Sequence, residues 1–167
     1  MSDHFVCSVC GKEHVGLPTD HGYKLPDDVW AIPEPERMTR AKFTPDLCQL
    51  GERYFIRGVL RVPFSEAGGD FGWGVWTEVA WPTFERYLKL YEEDASAEPP
   101  HAGTLANAIP IYEGTLGTPV LIQFQNQRSR PSIHLMRDDD SSLAVEQRNG
   151  ISNARFHEII DQIASHR

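Results

Sequence analysis

Residues 53–80 read RYFIRGVLRVPF (53–64), SEAGGD (65–70) and FGWGVWTEVA (71–80), and this stretch decides the fold. Both apolar runs are rich in aromatic and β-branched residues, which suit a pleated, half-buried surface. The linker between them carries Gly68, Gly69 and Asp70, residues that favour turns. Successive side chains of a strand point to opposite faces. In the first run that alternation places Arg57 and Arg61 on one face and Ile56, Gly58, Leu60, Val62 and Phe64 on the other. In the second, Phe71, Trp73, Val75 and Thr77 share a face, while Gly72, Gly74, Trp76 and Glu78 lie opposite. The spacing predicts an antiparallel hairpin with a longer loop.

Downstream, Phe84, Tyr87, Leu88 and Tyr91 recur at i, i+3, i+4 and i+7, so 82–93 is predicted to be an amphipathic helix with Pro82 in its first turn. Pro99, Pro100 and Gly103 end it and open a segment predicted to be irregular as far as Thr118. Residues 120–127 (VLIQFQNQ) and 131–136 (PSIHLM) read as strands, and 143–148 as a short helix closed by Gly150. A last helix starts from Ser152 as N-cap, with Ile151 and Phe156 at the spacing of a hydrophobic staple. Its buried stripe is Phe156, Ile159, Ile160 and Ile163. Upstream, Pro26, Pro33, Pro35 and Pro45 punctuate the chain, and 36–43 is predicted to be a short helix with Glu36 and Arg40 paired at i, i+4. This order implies an α+β fold, a mainly antiparallel sheet with amphipathic helices. A single domain over 1–167 is expected, in which an N-terminal segment, 1–50, packs on an α+β core, 51–167.

The chain has 167 residues, 40% of them hydrophobic and 24% charged, an ordinary globular balance that argues against wholesale disorder. Its formal net charge of -8 repels phosphate backbones and anionic lipids, so neither nucleic acid nor a membrane surface is an expected partner, and a protein partner is. The N-terminus lacks a basic region followed by an apolar one, and no run of about 18 apolar residues occurs. The three cysteines, an odd number, do not make a disulfide framework. These features together lead to an expected cytoplasmic location.

The sharpest local pattern is Cys7-Ser8-Val9-Cys10-Gly11-Lys12. Two thiolates at this spacing hold one tetrahedral ion from a tight turn, and zinc then takes two further ligands from elsewhere. Cys48 is the remaining thiol and His14 the nearest downstream histidine, so Cys7, Cys10, His14 and Cys48 form the economical Zn2+ set, with His21 and His4 in reserve. Two other readings stand beside it. One is a redox dithiol, which wants a helix opening at the first cysteine, where Gly11 does not favour one. The other is a set of reduced thiols without metal.

Other patterns fall to plainer explanations. Gly72-x-Gly74 lacks the third glycine of a dinucleotide fingerprint and sits within a strand. Asp138-Asp139-Asp140 lacks the ligand spacing of a calcium loop and reads as a solvated connection. Trp73, Trp76 and Trp81 with Phe71 either line a pocket or form core. Arg128-Ser129-Arg130 either clamps an anion or is solvated at the start of a strand. No nucleophile elbow, HExxH helix or phosphate loop occurs.

Taken together, several pieces resemble the uncharacterised bacterial family known as domain of unknown function 2199. They are Cys7-x-x-Cys10-Gly11 with His14 and Leu17-Pro18, Asp46-x-Cys48, Phe55-x-Arg57-Gly58 and Trp73-Gly74-Val75-Trp76. Further on come Pro110 with Tyr112, Arg130-Pro131, and Leu143-Ala144-x-Glu146-Gln147 leading to Gly150-Ile151. The chain departs at Ser141-Ser142, where the family tends to carry a His-Pro pair, so any role of that histidine is absent here. The resemblance implies one unit over the chain and places Cys48 beside the knuckle; it implies no activity.

The expected function is that of a zinc-stabilised, non-enzymatic binding or regulatory domain. The alternative is a metal-dependent hydrolase with an open zinc position. Ligand number separates them, because four protein ligands close the ion and three plus water leave it reactive.

Overall fold

In the computed structural model, which describes residues 19–165 and the backbone of two short strands before them, the two runs quoted above pair as long antiparallel strands. In chain order the elements are β1 (His4–Val6), β2 (Glu13–Val15), β3 (Asp20–Gly22), α1 (Asp27–Trp30), α2 (Glu34–Arg40), β4 (Ala41–Phe43), β5 (Leu47–Leu50), β6 (Arg53–Pro63) and β7 (Asp70–Val79). They continue as α3 (Trp81–Leu90), β8 (His101–Leu105), β9 (Pro119–Gln123), β10 (Ser132–Leu135), α4 (Ser142–Asn149) and α5 (Asn153–Ser165). The backbones of β1 and β2 pair antiparallel.

From β6 to β10 each strand lies antiparallel to the one before it. With five such strands the first and last run in the same direction, so joining them requires a parallel contact. That contact is present: Ser132 of β10 pairs with Val59 of β6, and the Val59 N–H donates to the Pro131 carbonyl at 2.9 Å. The sheet therefore curls into a barrel-like arrangement, which removes the exposed edges an open meander would present. Beyond it, β3 adds in parallel to the start of β7, while β5 and then β4 extend the start of β6 antiparallel.

The hairpin alternation holds as predicted. Ile56, Leu60 and Val62 of β6 and Phe71, Trp73 and Val75 of β7 enter one large apolar cluster. The same cluster contains Leu105, Val120, Ile122 and Ile133 from the other strands and Phe84, Tyr87, Leu143 and Ile159 from the helices. The opposite face of the hairpin contributes Phe55 and Trp76 to a second cluster with Leu25, Val29, Ala41, Cys48 and Ala106. Trp73 and Trp76 are thus core residues on opposite sides of one strand, whereas Trp81 is exposed.

Helix ends follow local chemistry. Ser141 Oγ accepts from Ala144 N–H, and Gly150 closes α4 at φ 89°, a conformation that favours glycine. Ser152 Oγ accepts from Arg155 N–H at 3.1 Å, as expected of the N-cap of α5. Four expectations need correction. The irregular stretch after Pro100 contains β8, a strand of weak β-formers (HAGTL) held by β7 and β9 rather than by its own propensity. The helix predicted over 36–43 ends at Arg40, because 41–43 pair with β5. The strand predicted over 120–127 stops at Gln123. Leu88 and Tyr91 of the predicted stripe are largely exposed, and only Phe84 and Tyr87 of α3 are buried.

Gly58 sits where β10 closes on β6. A Cβ there would lie 2.8 Å from both the Pro131 carbonyl oxygen and Ile133 Cδ1. Backbone cannot yield to that contact without opening the closure, so Gly58→Ala is expected to cost about 1–3 kcal/mol, the usual scale of overpacking. Equilibrium denaturation of the variant checks this.

Candidate anion-binding trough

Away from the core, the hairpin face that carries Phe55 and Trp76 continues along β6 as Arg57, Val59 and Arg61. Their partners on β7 are Trp76, Gly74 and Gly72. Two glycines leave no side chains on that half of the floor, so the face forms a trough. On one side β3 brings Asp20 and Gly22 level with Gly72 and Gly74. On the other, barrel closure brings Arg130, which precedes β10, to the same cavity as Arg57 and Arg61. This cavity measures about 320 Å3, and a second of about 430 Å3 shares Val59, Arg61 and Arg130 with it as lining.

Asp46 organises the charges. Arg130 Nε donates to its Oδ1 at 2.8 Å and Tyr91 Oη donates to its Oδ2 at 2.7 Å. Burial by itself would push the Asp46 carboxyl up. The hydrogen bonds from Arg130 and Tyr91, with the charges of Arg130 and Arg57, outweigh burial and hold it below the ordinary range. The same hydrogen bond, aided by burial and the carboxylate charge, raises Tyr91.

Arg61 pairs with Asp70 at 3.2 Å. Arg57 differs from its neighbours. Among the described residues its Nη1 reaches only the Pro45 carbonyl, at 3.4 Å, and its buried Nε has no hydrogen-bond partner. Burial first, then repulsion from Arg130, lower its pKa, and Asp46 only partly compensates. The guanidinium rests against bare backbone: a Cβ on Gly22 would stand 2.6 Å from Arg57 Nη2. A cation held beside a like charge, with a donor unsatisfied, is chemically able to accept an anion.

Among the expected metal ligands, Cys7 and Cys10 lie outside the described residues. His14 belongs to β2 by its backbone, as His4 does to β1, and their side chains lie outside the description. Cys48 is described: it is buried on β5 in the second apolar cluster, and burial pushes its thiol up to about 11. The reserve ligand His21 packs edge-on against Trp73 and Tyr23. Among the described residues no three His, Cys, Asp or Glu side chains group to hold a metal ion. Asp138, Asp139 and Asp140 lie in the connection between β10 and α4, where Asp139 Oδ1 accepts from Ser141 N–H.

Sequence reading reached one part of the trough, the Arg128-Ser129-Arg130 segment, whose residues line the larger cavity. It missed Arg57, Asp46 and Tyr91 as a site. The available signal was an arginine in mid-strand whose face is shared, across the hairpin, with glycines.

A model of the family described as an uncharacterized protein conserved in bacteria matches residues 6–151. No curated protein and no solved structure matches the chain. Among the described residues no helix is long and apolar enough to cross a membrane.

A carboxylate held below its ordinary pKa contributes stability that is present above the unfolded value, about 3.9, and is lost as pH falls through the folded value. Asp46→Asn is therefore expected to be less stable than the natural chain at neutral pH, with the difference shrinking below about pH 4 as the natural carboxyl protonates. Denaturant titrations across that range measure the gap; a difference that stayed constant with pH would contradict the assignment.

Proposed function

For this chain, which belongs to the bacterial family domain of unknown function 2199, we propose a non-enzymatic binding or regulatory role in which the trough captures an anionic group of a partner or ligand. The observation that carries this is Arg57, a half-buried cation that lines a cavity with Arg61 and Arg130 and whose buried Nε has no acceptor among the described residues. A ligand that binds only the folded state stabilises it by mass action, by about 2.7 kcal/mol at a hundredfold excess over Kd. Inorganic phosphate or acetate is expected to raise the melting temperature above that in chloride of equal ionic strength. The excess should be smaller in Arg57→Gln. Equal responses from the two proteins would reject the trough as the site, since general salt effects act on both alike.

The second part of the reading is a structural zinc ion on Cys7 and Cys10, completed by His14 and Cys48. The Cys-x-x-Cys-Gly spacing supports it. Cys48 supplies a soft donor, but its thiol, raised by its apolar surroundings, is protonated at neutral pH unless a cation lies beside it. Bound metal would supply folding free energy to the N-terminal segment. About one zinc ion per chain is expected in tag-free protein purified without chelator, and Cys7→Ser should lose it. Retention of full zinc by Cys48→Ser would remove Cys48 from the ligand set. Zinc-dependent turnover of ester, phosphoester or peptide substrates, absent in a folded Cys7→Ser control, would instead favour the hydrolase.

A further inference from the structure

We infer that the anion taken by the trough is a monocarboxylate carried on a neutral, hydrogen-bonding body, the chemistry shared by a peptide C-terminus and a free N-acyl amino acid. The inference rests on the reading of the trough as an anion site and adds the class of anion. Local charge is the first argument. Asp70 answers Arg61 at 3.2 Å and Asp46 answers Arg130 at 2.8 Å. Among the described residues, Arg57 is then the trough cation without a carboxylate on it. Three arginines (Arg57, Arg61, Arg130) face three aspartates (Asp20, Asp46, Asp70) across the trough, so a monocarboxylate leaves a surplus of one negative charge. A dianionic phosphate would leave a surplus of two, at greater electrostatic cost.

Geometry is the second argument. Nη1 of Arg57 points to the Pro45 carbonyl and the buried Nε has no acceptor among the described residues, so a ligand that meets the Nε and Nη2 edge does so after the side chain turns. That edge presents two parallel N–H groups, which match the two oxygens of a carboxylate. Gly22 and Gly74 flank the guanidinium without side chains, and a Cβ on Gly22 would stand 2.6 Å from Nη2.

The third argument is the space next door. A carboxylate alone does not fill the trough, and a second cavity of about 430 Å3 lies across Val59, Arg61 and Arg130 from it. Its lining includes Gln125, Asn126, Gln127, Ser129 and Tyr91, neutral donors and acceptors suited to amide groups, and its remaining charges, Arg128 and Glu93, are opposite in sign.

The test follows the Arg57 Nε–H signal by nitrogen-15 NMR at fixed ionic strength. The probes are acetyl-triglycine as the free acid, its C-terminal amide, N-acetylglycine and inorganic phosphate. The free acid is expected to shift the signal saturably and the amide to leave it in place. Gly22→Ala, which pushes the guanidinium aside while keeping its charge, and Arg61→Gln, on an exposed side chain, should each weaken acetyl-triglycine binding about tenfold, the scale of one charge-assisted contact. Equal affinity for N-acetylglycine supports the small-molecule form, and tighter binding of the tripeptide acid supports the peptide end. Saturation by phosphate but not by the free acid overturns the monocarboxylate and leaves an anion site standing. No response to any of these anions overturns both readings, as does unchanged affinity in both folded variants.

Discussion

The parallel contact between β10 and β6 is the constraint on which the rest depends. It is small, a single register pair at Val59 and Ser132 with the Pro131 carbonyl accepting from Val59 N–H. Yet it turns a five-strand meander into a closed arrangement, and the absence of a side chain at Gly58 lets the two strands meet. Closure fixes which face of β6 looks inward, so Ile56, Leu60 and Val62 are buried together with Ile122 and Ile133. It also sets Arg130, far along the chain, at the cavity that Arg57 and Arg61 line.

The trough is the outward consequence of the same closure. Its face begins as a second apolar cluster around Phe55, Trp76 and Cys48, then becomes charged once the covering segment of 25–41 is passed. The net charge of the chain, -8, gives no hint of it, because net charge averages over the surface while a binding cavity depends on a few side chains. Within the trough the arginines are not equivalent. Two are matched by carboxylates; Asp46 in particular ties the Arg130 turn to Tyr91 after α3. Arg57 is left with a carbonyl at long range and an unsatisfied Nε, and this asymmetry gives the cavity its chemical character.

Cys48 links the two halves of the functional reading. It is two residues from Asp46, on the strand that borders the trough, and its own surroundings are apolar. A metal ion there would change the local electrostatics of a thiol that burial otherwise keeps protonated. The Asp46-x-Cys48 and Phe55-x-Arg57-Gly58 pieces thus meet across one strand pair: Cys48 opposes Phe55, and Arg57 N–H donates to the Asp46 carbonyl.

The sequence by itself determined the elements whose signal is local. The alternating hairpin, the stripe of α5, the Ser152 cap and Gly150 all follow from side-chain periodicity and terminal hydrogen bonding, which need only near neighbours along the chain. The Cys-x-x-Cys-Gly spacing was legible for the same reason. Tertiary structure decided what depends on pairing between distant segments. The weak strand β8 exists because β7 and β9 supply its hydrogen bonds, and the edge strand 41–43 exists because β5 does. The trough belongs to this second kind: its residues come from 20–22, 46, 57–61, 72–74, 91 and 130, and a strand pattern gives a side chain's face without naming which distant side chains share it. Arg57 could be placed on a face from the sequence; that no described carboxylate pairs with it while Arg61 and Arg130 have theirs was settled only when closure set the distances, because an ion pair is a matter of a few ångströms.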